Sequence, residues 1–195
     1  MIEYLVIAAA VASVLAASVY IRAMFKGDAK PNRVSWFMWA IAPFIATAAE
    51  VSSGVTWAAL PVFMAGFSPF LIFTASFATK KAYWKLSSFD YACGVLSVLA
   101  LVLWLLTKEP NVAIVFAVAS DGLASIPTLT KAWAAPKTES VWPYVTGVFG
   151  ALTSLAAVAA WTFSGYAFPA YLVVTNLLTV IAIYHVRLGF SRQSK

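Results

Sequence analysis

Seven long apolar runs, parted by short gaps that hold nearly all the charge, constrain this chain more than any other feature. The runs lie at about residues 4–25, 34–52, 55–79, 89–107, 111–133, 141–163 and 166–188. Each is near the ~20 residues that a helix needs to cross a hydrocarbon core of roughly 30 Å. Only 10% of the residues are charged and 63% are hydrophobic, whereas a soluble domain carries about 25% charged residues. The expected solvent is therefore lipid, and too little chain lies between the runs for a soluble catalytic domain. No cleavable leader is expected either, because Met1-Ile2-Glu3-Tyr4 has no basic start.

The gaps set the expected orientation. Taken alternately, one side of the membrane receives every lysine and arginine except Lys108. Positive charge stays in the cytoplasm, so the N-terminus is expected outside and the C-terminus inside. The expected home is a bacterial-type cytoplasmic membrane. The net charge of +6 then reads as topology signal and contact with anionic headgroups, not as a nucleic-acid surface. Cys93 is the only cysteine and His185 the only histidine, which excludes an intrachain disulfide and a metal cluster. No cofactor is expected.

A proline-marked hinge recurs. Lys30-Pro31-Asn32-Arg33-Val34-Ser35-Trp36 follows the first run, and Ala135-Pro136-Lys137-Thr138-Glu139-Ser140-Val141-Trp142 follows the fifth. A repeat of that size points to duplication. The predicted fold is an all-α polytopic membrane protein: seven transmembrane helices as two parallel triple-helix repeats joined by a linker helix. The units would be residues 1–79, 80–110 and 111–195, the last including a short cytoplasmic tail.

This plan resembles the SWEET, semi-SWEET and PQ-loop superfamily of small transporters, and the vitamin-precursor transporters share its outline. Pro31-Asn32 stands where a PQ-loop protein has Pro-Gln, with Pro136-Lys137 as the second copy. The resemblance implies a pocket asparagine at Asn176, with Ser68 as its approximate counterpart, and hinge prolines at Pro43, Pro127 and Pro143. Tyr20 stands where the fourth hinge proline belongs.

Asp121 is the sharpest single residue. It falls about ten residues into the fifth run, near mid-membrane at ~1.5 Å per residue. A charge there costs about 2.5–3.5 kcal/mol on insertion scales, so it should face a bundle interior or a wet cavity. It could couple protons or hold a hydroxyl-rich or cationic solute. It could equally be a protonated, hydrogen-bonded structural acid. Ser125 lies one turn along the same face, and Thr146 and Trp39 complete the expected solute contacts. Trp39 also fits an interfacial aromatic belt with Trp36, Trp84, Trp133 and Trp142. Glu50 reads as a headgroup-level carboxylate, Trp57 as an outer-boundary marker, and Asp90 as a helix-start carboxylate.

The expected function is a small polar-solute transporter, sugar- or vitamin-like in substrate, working by alternating access between the two bundles. A non-transporting membrane receptor, or a structural subunit of a larger membrane complex, is the alternative. An enzyme is not expected, since the pattern has no metal set and no base beside a nucleophile. The expected partners are membrane lipids, a small polar solute and either further copies of the chain or a larger membrane complex.

Overall fold

The computed structural model describes residues 2–52, 60–107, 109–156 and 161–185. The apolar runs fold into α1 (Ile2–Lys26), α2 (Arg33–Ser52), α3 (Leu60–Ala75), α4 (Ser88–Leu106), α5 (Pro110–Ala134), α6 (Trp142–Ala156) and α7 (Phe163–Tyr184). Local chemistry sets their ends. α1 stops at Gly27, whose φ of 93° is open to a residue without Cβ, and Asp28 N–H then reaches back to the Ala23 carbonyl. α2 starts at Asn32, whose side-chain oxygen accepts from Val34 N–H at 3.1 Å. α4 opens with a reciprocal capping box between Ser87 and Asp90, and α5 opens on Pro110, where a missing N–H is no loss.

α3 packs against both α1 and α2, and α7 packs against both α5 and α6. α1 meets α6, α2 meets α5, and α4 lies against α5 while touching α2. The interior is small and polar; the outside is large and apolar. Ala16, Ala17, Ala100, Ala124, Ala132, Ala151 and Ala182 are buried, whereas Ile7, Val11, Leu15 and Val19 form an exposed stripe on α1. Leu99, Leu103 and Leu106 on α4, and Val174, Leu178 and Ile181 on α7, are exposed in the same way. Small residues let helices close up, and hydroxyls then link them. Ser13 and Ser68 bond at 2.7 Å across α1 and α3. Between α4 and α5, Ser97 donates to the Ser120 carbonyl at 2.6 Å while Ser120 donates to the Ser97 carbonyl at 2.9 Å. Such an arrangement suits hydrocarbon as solvent.

Seven helices form, but the expectation that all seven cross a membrane is corrected. Among the described residues three are long and apolar enough: Ile7–Lys26 of α1, Ser88–Leu106 (α4) and Tyr166–Tyr184 of α7. The described parts of α3 and α6 have 16 and 15 residues, α3 starting and α6 stopping where the described residues do. Among the described residues neither α2 nor α5 has such a stretch, and α5 carries Asp121 and Lys131 along its length. The plan of two triple-helix repeats of membrane-crossing helices, on which the resemblance to SWEET and PQ-loop proteins stood, is corrected with it. Three such helices are consistent with a membrane-embedded protein in contact with lipid. Trp57, Lys108, Arg187, Arg192, Lys195 and the side chain of Glu50, expected at the interfaces or as topology signals, lie outside the described residues.

Candidate functional site

Asp121 sits midway along α5 and is half-buried. The Tyr171 hydroxyl of α7 donates to its Oδ2 at 2.8 Å. Ser125, one turn further on, donates to the Asp121 carbonyl at 2.8 Å and lies 3.3 Å from the same Oδ2. One carboxylate oxygen thus has two hydroxyls, while Oδ1 bonds to nothing among the described residues. The arrangement can hold a proton or accept a hydrogen bond from a donor that reaches between α5 and α7.

The structure brings Asp121 and Ser125 together and engages the other expected contacts elsewhere. Asn176 donates to the Leu172 carbonyl at 2.8 Å and fills the space above Gly147, where a Cβ would lie 2.5 Å from its Oδ1. It is a packing contact between α6 and α7. Thr146 donates to carbonyls of its own helix, Trp142 and Pro143, at 3.1 and 3.0 Å. Ser68 is buried and bonded to Ser13. Trp39 is half-buried, edge-on to Trp36 with centroids 5.2 Å apart. Among the expected hinges, Pro43 and Pro127 lie inside helices, where the missing N–H takes the helical donor from the Trp39 and Leu123 carbonyls, and Thr47 and Thr130 donate to the Pro43 and Pro127 carbonyls. Pro143 is the second residue of α6, in the first turn, where proline leaves no helical bond unmade. Tyr171 escaped the sequence reading. A phenol inside an apolar run needs a partner for its hydroxyl, and that is the signal that would have found it.

A second polar constellation lies where the two hinges meet, joined by Lys30 N–H donating to the Thr138 carbonyl at 2.9 Å. Here Glu139, on the link between α5 and α6, is buried and pairs with Lys131, whose side chain is just as enclosed. Tyr20 of α1 and Tyr144 of α6 donate to Glu139 Oε2 at 2.8 and 3.2 Å. The Trp36 ring packs on both tyrosines, with centroids at 5.0 and 6.3 Å, and Lys131 Nζ lies 5.0 Å from the Trp84 ring centroid. Three helices, α1, α5 and α6, therefore share the one carboxylate. Asn32 is tied in the same way to the head of α4, donating to Asp90 Oδ1 at 2.8 Å. In both groups each carboxylate oxygen has a partner within the protein, so they fasten the bundle.

The chain matches no family model, no curated protein and no solved structure. Nothing in these comparisons supports a transporter. The expected alternating-access carrier of SWEET or PQ-loop type is corrected on that ground, and because the two repeats of crossing helices it requires are not found among the described residues. The chain is an all-α protein with three helices suited to a membrane. The descriptions "seven-helix transporter", "SWEET-like" and "PQ-loop-like" are withdrawn with the carrier.

Proposed function

We propose that this chain is a membrane-embedded binding protein for a small polar solute, with Asp121 as its recognition group. It acts by binding and carries out no reaction. The observation that supports this reading is the half-engaged carboxylate: Tyr171 and Ser125 both address Oδ2, and Oδ1 is left for a donor. A hydroxyl-bearing or cationic solute supplies that donor, and the phenol fixes the carboxylate so that little side-chain entropy is lost on binding. The home of the protein in this reading is a bacterial-type cytoplasmic membrane. The basic hinges that meet through Lys30 and Thr138 lie on the cytoplasmic side and the N-terminus on the other.

The test is thermal unfolding of the purified chain in detergent against a panel of sugars, polyols and small amines. At least one should raise the unfolding temperature in proportion to the logarithm of its concentration. The effect should vanish in Asp121→Asn, which keeps the shape but loses the charge. A panel without effect on the natural chain, or stabilisation that survives Asp121→Asn, overturns the reading.

A further inference from the structure

At the end of the bundle that holds both hinges, the link after α3 and the start of α2 enclose a cleft of about 300 Å³ lined by Arg33, Phe77, Thr79, Lys80 and Tyr83. Its chemistry is one-sided. Arg33 Nε donates to Ser76 Oγ at 3.0 Å and Nη2 to the Ser76 carbonyl at 2.7 Å. The guanidinium is thus clamped across the end of α3, with its carbon 4.1 Å from the Phe77 ring centroid and 5.9 Å from that of Tyr83. Two of its five N–H groups are used, and no carboxylate answers the charge. The one ion pair among the described residues is Lys131 with Glu139. Thr79 Oγ1 accepts from Lys81 N–H at 3.2 Å, so its own hydrogen is free to donate. Lys80 is exposed. Every polar group that lines the cleft can donate, and the two cations carry no counter-charge.

A pre-ordered guanidinium beside an ammonium and two hydroxyls suits the phosphate of a headgroup, which guanidinium binds through paired N–H donors. The walls say which kind of phosphate. Phe77 and Tyr83 are 61% and 57% exposed. From Phe77 a ladder of rings leads away along α3 and α2: Phe73 at 5.1 Å and Phe37 at 5.3 Å from Phe73. Phe37 is itself 41% exposed. A free anion has no use for this ladder, whereas an acyl chain lies along it.

We propose that this cleft is a binding site for one anionic phospholipid, its phosphate held by Arg33, Lys80 and Thr79 and its acyl chain laid on Phe77, Phe73 and Phe37. The site is separate from Asp121 and stands or falls independently of it. Basic residues at a membrane surface attract anionic lipid in any case. What distinguishes a built site is saturation at one lipid and dependence on these particular groups.

The experiment is native mass spectrometry of the full chain released from mixed phosphatidylglycerol and phosphatidylcholine micelles, which counts retained lipids. The natural chain should retain one phosphatidylglycerol in preference to phosphatidylcholine. Lys80→Gln, at an exposed position that leaves the fold untouched, should lower that preference about fivefold, as expected for one basic group at a surface. Arg33→Gln should abolish it. If Arg33→Gln does not fold, Lys80→Gln combined with Thr79→Val carries the same test. Equal retention of both lipids, or a preference unchanged in the Lys80 variants, overturns the site. Displacement of the lipid by inorganic phosphate alone identifies a free-anion site and overturns the lipid assignment.

Discussion

Replacing Glu139 by glutamine tests whether the bundle is fastened where its two hinges meet. The substitution keeps size and shape and removes one charge. In the natural chain Lys131 and Glu139 have side-chain exposures of 2% and 0%, so neither charge can turn to water once its partner is gone. Breaking a buried pair from one side costs about 3–5 kcal/mol, because the remaining ion stays enclosed and uncompensated. The two phenol bonds, at 2.8 and 3.2 Å, also fall from charge-assisted to neutral strength, a loss of about 1 kcal/mol each. Part of this is recovered because the amide oxygen still accepts, so we expect a total near ~4 kcal/mol. Lys131→Met should cost somewhat less, since both phenols still donate to the carboxylate. The double variant removes both charges and should fall within about 2 kcal/mol of the natural chain, as replaced buried pairs do. Unfolding by SDS titration in mixed micelles, read by tryptophan fluorescence, measures all three, and Trp84 beside Lys131 Nζ gives a local signal. The reasoning fails if Glu139→Gln costs under about 1 kcal/mol. It fails equally if the double variant costs the sum of the singles, since the loss would then be packing and not charge.

Two further outcomes follow from helix contacts. At Gly66 on α3 a Cβ would lie 2.9 Å from the Ala40 carbonyl of α2 and 3.1 Å from the Phe44 ring. Gly66→Ala should therefore cost about 1–3 kcal/mol by forcing α2 and α3 apart, in the same SDS titration, and no change would show that the two helices give freely. Ser97→Ala takes from the Ser120 carbonyl its donor across the helices, while the Ser120 hydroxyl keeps the Ser97 carbonyl. Its cost should be about 0.6–1.7 kcal/mol, the range of interhelical bonds in lipid, and amide exchange in α4 should rise with it.

How far the sequence carried differs between elements. The seven helices of the described residues were legible, because hydropathy and local signals act on short stretches. Asp90 at the head of α4 was expected to serve the helix start, and it closes a capping box with Ser87. Apolar length was the poor guide. Runs at 55–79 and 141–163 look like spans as sequence, yet the described helices there are Leu60–Ala75 and Trp142–Ala156. Asp121 and Ser125 stood out in the sequence because a carboxylate inside an apolar run is anomalous by itself. Asn176 also lies over Gly147 of another helix, and sequence distance carries no sign of that contact.

The residues that fasten the bundle were the least visible of all. Glu139 lies in a polar link, where a carboxylate passes for a solvated surface group, and Lys131 passes for a topology charge. Nothing local marks either as buried. Their enclosure is produced jointly by Tyr20, Trp36 and Tyr144, which come from three different helices. The position of the link is fixed in turn by Lys30, whose amide takes the Thr138 carbonyl. Tyr20 shows the difficulty most clearly. As sequence it is a missing hinge proline, a defect in a pattern. In the structure it is fully buried and spends its hydroxyl on Glu139, so the same position that would have been a place to bend is a place where α1 is held. A first helix pinned through Tyr20 argues for a bundle whose basic end is static. Binding at Asp121 and at the Arg33 cleft therefore has to be accommodated by side chains, without a rocking of one half of the molecule against the other.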